Sequence, residues 1–511
     1  MSLTQRRSSD NGHMSSFQIP MRQIDSAFLG FSSNRVARKT EFVMSSTAMA
    51  VINAFLLFCW LLFQGRILDG SLRSLSIMAS LSAVIGLWSV IQFSSKGIWS
   101  AGSIYLLMFT LFHVGLTAAY AVGALEGNAV DDFTYRWTSQ WLYRDSTYES
   151  VFLSAIGLHS SAIGILLARV RSSSTNSSRE ALERTSLSIL LSVFGSALVV
   201  VSTVSWFYLI VSRGGLGALV GSYGQYQSLV ADSTGGFGYI YFFLGVGLAF
   251  VAASDDKHMR KTALSVFAIF ALFGLPLGLR GEVLFPSLTA AVIFAKKSGK
   301  MPSTRTTLFF VVAGLFFVSM IKNIREVGIQ EAATTGAGGS VTAGLVELGG
   351  SIRSVSEVVL WRQQGDPLDN GQTYLAPFDR LSCHFFDHDS CVPAERDYRI
   401  MNILVIDRIG PIGFSPVAES YRNFGRLGVV FIMFTIGLLV SCMDRWSNHR
   451  ATLALTGIVL IEALINVRNS FIAAPSHVVL GLAILAVVVF LSKSSPYLMG
   501  ESDHPETFRG N

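Results

Sequence analysis

Charged side chains are scarce in this sequence: Asp, Glu, Lys and Arg make up 14% of its 511 residues, against about 25% in soluble domains. The sequence also lacks a Walker loop, a dinucleotide-binding glycine motif, a catalytic-serine elbow and a His-Glu-x-x-His pattern. The low charge argues against a water-soluble globule. The missing motifs give no indication of nucleotide, dinucleotide or metallohydrolase chemistry.

Long apolar stretches recur along the whole chain. Hydrophobic residues make up 51% of it, and the mean hydropathy is +0.49. The stretches lie at 44–64, 74–94, 101–123, 149–168, 186–211, 237–253, 262–279, 282–295, 306–321, 427–443, 451–467 and 471–492. The sequence therefore predicts an all-α, polytopic integral membrane protein with about 12 transmembrane helices, because most stretches approach the roughly 20 residues that a spanning helix needs. The first helix is expected to stay as an uncleaved anchor.

Connections that are rich in Lys and Arg alternate along the chain with connections that contain few of them. They concentrate before the first helix, at 169–184, at 257–261, at 296–305 and at 445–450. Because these residues stay on the cytoplasmic side of short loops, that side is predicted to be the cytoplasm and to hold both termini. The same distribution accounts for the net charge of +6, so we expect no nucleic-acid partner.

This topology divides the chain into five parts. We predict a basic cytoplasmic segment at 1–40, helices one to nine at 41–322, a large periplasmic loop at 323–426, helices ten to twelve at 427–492 and a cytoplasmic tail at 493–511. Within the first group of helices, 262–295 is predicted to form a short central hairpin. The loop is the candidate for an extramembrane domain.

Two of the four cysteines, Cys383 and Cys391, fall in the predicted periplasmic loop. An oxidising compartment favours a disulfide between them. Zinc is an alternative, because His384 and His388 lie nearby, although adjacent Cys383 and His384 would bind one tetrahedral ion awkwardly. Unpaired thiols are the third possibility. We expect the disulfide and no metal site.

The hairpin 262–295 is the most informative feature of the sequence. It is shorter than the roughly 40 residues that two full spans need, and Pro276 and Pro286 interrupt its arms. The tip, with Arg280 and Glu282, is therefore predicted to lie below the outer membrane surface. An ionisable group at that depth normally faces the bundle interior or a water-filled site, which makes Arg280 a candidate site residue. The alternative is a surface turn whose arginine reaches lipid headgroups.

A second charged cluster begins the predicted periplasmic loop. Lys322 and Arg325 are three residues apart, so they share one helical face. Anchoring to lipid headgroups is the alternative role. Both side chains are candidates for binding an anion at the membrane boundary.

A third cluster ends the predicted loop. Ser415 followed by Pro416 predicts a helix start, with a cap residue before a proline at the first helical position. From there Glu419, Arg422 and Arg426 are spaced to project along a single face. A salt-bridged surface stripe is the alternative.

Arginine clusters at the outer boundary favour an anionic substrate, because the guanidinium fork suits phosphate oxygens. A lipid diphosphate is anchored at this depth. Breaking a sugar–diphosphate bond builds negative charge on the leaving phosphate, which arginines stabilise without a metal. Glu282 or Glu419 is expected to accept the proton of an attacking sugar hydroxyl.

Three short motifs carry a resemblance to a known family. They are Leu279-Arg280-Gly281-Glu282, Ile324-Arg325-Glu326-Val327-Gly328 and the segment 413–428. In a multi-spanning protein these motifs resemble the Wzy-type O-antigen polysaccharide polymerases, over most of the membrane region. The resemblance implies a fold related to the C-type integral-membrane glycosyltransferases. It also implies a metal-independent enzyme of the bacterial inner membrane, and we expect no cofactor.

The resemblance further implies a reaction and its site. A growing glycan would leave its undecaprenyl diphosphate and join the sugar end of an incoming lipid-linked repeat unit, with the arginines binding diphosphate. The side chains expected at the substrate are Arg280, Lys322, Arg325, Tyr421, Arg422 and Arg426. A chain-length regulator protein is a candidate partner. O-antigen, capsule and exopolysaccharide all fit as products.

Two other functions fit part of the pattern. A flippase or secondary transporter of lipid-linked glycan should show internal repeats with paired broken helices, whereas this sequence shows one broken hairpin. An O-antigen ligase shares nearly the same topology and is the closer alternative.

His477 and Glu462 lie in apolar stretches, where an interhelical hydrogen bond is the expected role. Arg468 is placed to share the cavity of Glu462.

Overall fold

The computed structural model describes residues 46–94, 96–125, 138–170, 183–219, 221, 223–231, 236–299, 301–327, 339–386, 391–393, 396–410 and 412–498. Every regular element in these ranges is helical, which confirms the predicted all-α class. The predicted segment 1–40 lies outside the described residues, and so does the tail beyond residue 498.

The α-helices follow one another in short steps along the chain. They are α1 (Ser46–Leu62), α2 (Gln64–Leu68), α3 (Leu72–Gln92), α4 (Ala101–His113), α5 (Gly115–Ala121), α6 (Asp145–Val170), α7 (Glu183–Gly214), α8 (Tyr223–Ala231), α9 (Gly236–Ala253), α10 (Lys257–Gly274), α11 (Arg280–Ser298), α12 (Thr304–Val327), α13 (Val341–Leu348), α14 (Ile352–Gln363), α15 (Gln372–Phe386), α16 (Met401–Ile409), α17 (Pro416–Arg445), α18 (Arg450–Asn466) and α19 (Ala474–Leu498). Short 3-10 turns lie at Gly97–Trp99, Leu216–Leu219, Gly349–Ser351 and Phe471–Ala473.

Several of these helices are long and apolar enough to cross a membrane. Within the described residues there are six: α3, α6, α7, α12, α17 and the stretch Phe471–Ser494 that contains most of α19. A seventh crossing arises if α4 and α5, which bend by 56° at their junction, form one span. α1 and α9 are shorter apolar helices. The polytopic membrane protein is thus confirmed, and the count of twelve spans stays a prediction.

The predicted central hairpin consists of α10 and α11, which have 18 and 19 residues. The turn between them contains Gly278 at φ 85°, a conformation that glycine adopts without strain. Arg280 is the first residue of α11, so the turn of the hairpin precedes it instead of containing it. Arg280 and Glu282 therefore both stand in the first turn of α11. Their depth in a bilayer stays a prediction.

Small residues let α6 and α17 pack closely against each other. A Cβ on Gly164 of α6 would lie 2.2 Å from the Phe434 carbonyl oxygen, and a Cβ on Gly437 of α17 would lie 2.2 Å from that of Ser161. The Ser161 hydroxyl donates to the Met433 carbonyl oxygen across the same contact, at 3.1 Å. Such close backbone approach is the usual way in which membrane helices associate.

We expect Gly437→Leu to prevent stable folding, because its side chain would have to displace the backbone of α6. A loss of about 3 kcal/mol in the free energy of unfolding is expected from overpacking of this kind. Gly65→Leu is the matched control, since nothing lies within 4 Å of a Cβ at that helical glycine. The yield of monodisperse protein in size-exclusion chromatography should fall for Gly437→Leu alone. Equal yields for both variants would contradict the packing described here.

A break in α17 separates two residues that the sequence placed on one face. The Ser415 hydroxyl accepts from the backbone N–H groups of Val417 and Ala418, which confirms the predicted cap and helix start. Gly425, however, has φ 67° and ψ −156°, which are not helical values. The single face predicted for Glu419, Arg422 and Arg426 is therefore wrong, because the helical periodicity ends before Arg426.

Candidate active site

A polar cavity of about 300 Å³ lies among α9, α11, α18, the turn after α18 and the start of α19. Its wall includes charged, amide and hydroxyl side chains together with apolar ones. The polar lining residues are Tyr241, Glu282, Asn402, Glu462, Asn466, Arg468, Asn469, Ser470 and His477. Ligand sites typically combine an apolar wall with a few convergent polar groups of this kind. This polar cavity is the candidate active site.

Arg468 is the cation of the polar cavity. Its backbone oxygen accepts from the Phe414 N–H at 3.0 Å, which ties the turn after α18 to the segment that precedes α17. Gly413 makes this contact possible, because it has φ 75° and its Cβ would lie 3.0 Å from the Arg468 oxygen. The guanidinium lies 5.8 Å from the centre of the Phe112 ring. In the described part of the chain, no hydrogen bond or ion pair involves that guanidinium.

Glu462 and His477 lie side by side in the wall of the polar cavity. His477 Nδ1 lies 3.0 Å from Glu462 Oε1, and the two residues are 7% and 4% exposed. The imidazole is stacked on Phe242 with ring centres 4.6 Å apart. The interhelical hydrogen bond expected from the sequence is confirmed, since it joins α18 to α19. Arg468 also lines the same cavity as Glu462, as the sequence indicated.

Glu282 and Arg280, both in the first turn of α11, point to different sides of that helix. Glu282 lines the polar cavity. Arg280 is hydrogen-bonded through Nη1 to Glu347 of α13 in an ion pair whose side chains are largely buried. Because Arg280 precedes Leu284 and Leu288 by four and eight residues, these three residues share one face of α11.

That face of α11 borders a second cavity, an apolar groove of about 300 Å³. The groove is lined by Trp99, Ile104, Leu107, Met108, Leu111, Leu284, Leu288, Pro302, Thr307, Phe310, Val311, Gly314, Leu315, Val318 and Leu348. Along α12 it runs from Thr307 to Val318, a rise of about 16 Å. At one end the Trp99 indole donates to the Pro302 carbonyl oxygen at 3.2 Å. α11 therefore separates the polar cavity from the apolar groove.

Lys322 lies at the other end of the apolar groove. It follows Val311, Leu315 and Val318 at helical spacing, so it continues the face of α12 that lines the groove. Lys322 is 5% exposed. α13 connects this end to Arg280, since Ser340 N–H donates to the Ser319 hydroxyl at 2.9 Å and Glu347 pairs with Arg280. Two of the predicted basic residues thus stand at the same end of the groove.

Glu419 lies behind the polar cavity, not on its wall. It is 1% exposed and accepts from the Thr373 hydroxyl and from the Phe471 N–H, both at 2.8 Å. Asn423 donates to the same Thr373 hydroxyl at 2.7 Å. Phe471 begins the 3-10 turn whose next residues line the cavity. Glu419 therefore holds part of the cavity wall in place.

Arg422 fastens the segment between α14 and α15 to α17. It donates from Nη1 to Asp366 at 2.9 Å and from Nε to Asp369 at 2.8 Å. Arg408 donates to the same Asp366 oxygen at 2.7 Å. Partial burial raises the pKa of Asp366, but the hydrogen bonds from Arg422 and Arg408 outweigh it and hold that pKa below its ordinary value. The charge on Arg422 is thus matched by nearby carboxylates.

The other predicted substrate residues lie apart from both cavities. Arg426 makes a two-point contact with Glu149, at 2.7 and 2.8 Å, and donates to Gln64 at 2.6 Å. Tyr421 is half-buried against the core around α6 and α17. The side chain of Arg325 lies outside the described residues. The structure therefore brings together Arg280, Glu282 and Lys322 around α11, and it places Arg422 and Arg426 elsewhere.

A disulfide joins Cys383 and Cys391, with their Cα atoms 5.5 Å apart. The disulfide connects Cys383, near the end of α15, to Cys391 in the segment that follows that helix. Among the described residues, no group of three or more His, Cys, Asp or Glu side chains is arranged to hold a metal ion. The side chains of His384 and His388, which the zinc alternative requires, lie outside the described residues.

The fold and its two cavities define a polytopic helical membrane protein with a charged polar site beside an apolar groove. The family model for the O-antigen polysaccharide polymerase Wzy matches residues 48–498, and the chain belongs to this family. The family resemblance inferred from the three motifs is thereby confirmed. The match covers every residue that lines the polar cavity or the apolar groove.

A curated relative is Protein CapE of Staphylococcus aureus, which is 25% identical over 281 residues. That alignment covers 54% of this chain and 59% of CapE. No solved structure matches the chain.

Proposed function

We propose that the protein joins undecaprenyl-diphosphate-linked oligosaccharide repeat units into a polysaccharide, by block glycosyl transfer at the periplasmic face of the bacterial inner membrane. Membership of the Wzy family supports the reaction class. The distribution of Lys and Arg supports a site on the outer side with both termini in the cytoplasm. A chain-length regulator protein is proposed as a partner from the family resemblance alone.

One observation favours a lipid-linked substrate above the others: the apolar groove and the polar cavity flank the same helix. The groove has the chemistry to hold an isoprenoid chain, because its lining is almost wholly apolar. Arg280 and Lys322 stand at one end of it, where the diphosphate of such a lipid would lie. The polar cavity, with its amides and carboxylates, then takes the sugars. An amphipathic substrate would thus lie across the first turn of α11.

The proposed transfer has one bond forming and one breaking. A hydroxyl oxygen of the incoming repeat unit attacks the anomeric carbon of the growing glycan, and the bond from that carbon to the diphosphate oxygen breaks. The diphosphate leaves with the electron pair. Arg468 and Arg280 stabilise the charge that develops on it, as positioned donors do in a site shielded from water. Lys322 and Arg325 are further proposed contacts to the diphosphate, and the guanidinium groups make a metal unnecessary for this step.

Deletion of the gene in its host tests the proposal. We expect surface glycan to lose its long chains while a single repeat unit stays attached, because export and ligation do not depend on polymerisation. The glycan profile is measured by gel electrophoresis, and the intact gene on a plasmid should restore the long chains. Complete loss of the glycan would instead indicate a flippase or a ligase and would contradict the proposed function.

A further inference from the structure

The pair of Glu462 and His477 has a geometry suited to proton transfer. An ionised carboxylate only accepts hydrogen bonds, so with Glu462 ionised the 3.0 Å contact places a hydrogen on His477 Nδ1. The second ring nitrogen, Nε2, is then an acceptor. In the described part of the chain, no protein group is hydrogen-bonded to Nε2. A histidine that is oriented by a carboxylate through Nδ1 is a recurrent arrangement for a general base.

The imidazole is held in one orientation by its surroundings. Phe242 stacks on one face of the ring with an interplanar angle of 16°, and Tyr239 meets it edge-on at 5.2 Å. Both histidine and glutamate line the polar cavity. The other titratable groups on that wall are Glu282, Arg468 and Tyr241. A base fixed in this way is preorganised for a hydroxyl bound in the cavity.

The other carboxylates near the polar cavity are less suited to this task. Both oxygens of Glu419 accept from protein donors, and the residue stands behind the wall. Glu282 lines the cavity but has no described hydrogen-bond partner that would orient it. Among the described titratable groups on the cavity wall, His477 is the one whose ring is both stacked and hydrogen-bonded to a carboxylate.

We propose that His477 is the general base of the glycosyl transfer and that Glu462 is its positioning residue. This inference rests on the proposed polymerase function. As the acceptor hydroxyl oxygen bonds to the anomeric carbon, its proton passes to His477 Nε2, and the diphosphate leaves with the electrons of the broken bond. The imidazolium, stabilised by Glu462, then releases the proton to water.

The test uses the purified full-length protein in nanodiscs with a lipid-linked repeat unit as substrate. His477→Ala should lower kcat by about 100-fold or more, the usual contribution of a general base, and should change KM by less than about twofold. Added imidazole should restore part of the lost rate, because it can occupy the space that the side chain leaves. A histidine that only supports the fold would show no such rescue. His477→Gln is a second variant, closer in size to histidine, with the same expected loss, and it replaces His477→Ala if the alanine variant does not fold.

Glu462→Gln should lower kcat less than His477→Ala does, and the double variant should be no slower than His477→Ala alone, since both residues act through one proton transfer. His159→Ala is the matched control. This buried histidine of α6 lies 3.0 Å from the Asn53 side-chain oxygen and does not line the cavity. Its kcat should be unchanged and insensitive to imidazole.

Different results would overturn the assignment of His477 as the base and the proposed polymerase function. If the wild-type protein polymerises and either folded His477 variant does so at the wild-type rate, only the base assignment is overturned. Loss of rate without imidazole rescue in folded His477→Ala also overturns it. If the wild-type protein makes no polymer from a lipid-linked unit, the proposed function fails and the base assignment fails with it.

Discussion

Arg468→Ala is expected to abolish long-chain glycan in cells while single repeat units persist. The guanidinium is the cation of the polar cavity, and among the described residues no carboxylate forms an ion pair with it. Loss of one positioned donor to a developing anion typically lowers kcat by about 100- to 1,000-fold, which leaves too little activity for long chains. The fold should survive, because the contact that fastens this turn uses the Arg468 backbone oxygen and not its side chain.

The measurement is the electrophoretic profile of surface glycan in a deletion host that carries each variant at equal membrane abundance. Arg305→Ala is the control, since this arginine is exposed in the first turn of α12 and lines neither cavity. Arg468→Lys should fall between the wild type and Arg468→Ala, because it keeps the charge and loses the two-point geometry. Long chains of normal distribution in Arg468→Ala would show that Arg468 does not stabilise the charge on the leaving diphosphate.

Helix positions could be predicted from the sequence because they depend on local properties. The length of each apolar stretch predicts a helix, and a helix is found at each stretch in the described residues. The start of α17 was predictable for the same reason, since Ser415 and Pro416 act within one turn. The hydrogen bond between His477 and Glu462 was also expected, because polar groups in apolar helices must find partners.

The partners of the arginines could not be predicted because they are distant in the chain. Arg422 pairs with Asp366 and Asp369, and Arg426 pairs with Glu149. Their spacing in the sequence shows two cations near a helix start, which fits a substrate site equally well. Gly425 added a second difficulty, because glycine inside an apparently continuous helix does not reveal its backbone angles. Both features depend on tertiary packing.

Arg468 shows how a site residue can be undervalued in a sequence. It is a single arginine in a short connection, with no motif around it, and only its distance from Glu462 indicated a shared cavity. The structure adds what the sequence lacks, namely the contact with Phe414 that brings the turn after α18 against the start of α17. A lone arginine between two apolar stretches on the predicted outer side is the signal that could have ranked it higher.

Arg280→Lys is expected to lower chain elongation by about 100-fold, although it preserves the positive charge. A lysine at the end of the apolar groove can still pair with Glu347, so the fold should persist, but it lacks the planar fork that holds phosphate oxygens at two points.

Arg144→Lys is the matched control, because Arg144 also pairs with a buried glutamate, Glu357, away from both cavities. The alternative explanation is that Arg280 only stabilises the contact with α13. In that case Glu347→Gln, which removes the same ion pair, should lower the amount of folded protein as much as Arg280→Ala does. Chain lengths are compared by electrophoresis, with folded protein measured by size-exclusion chromatography. Wild-type chain lengths in Arg280→Lys would remove the two-point contact from the mechanism and leave the groove with a purely structural arginine at its end.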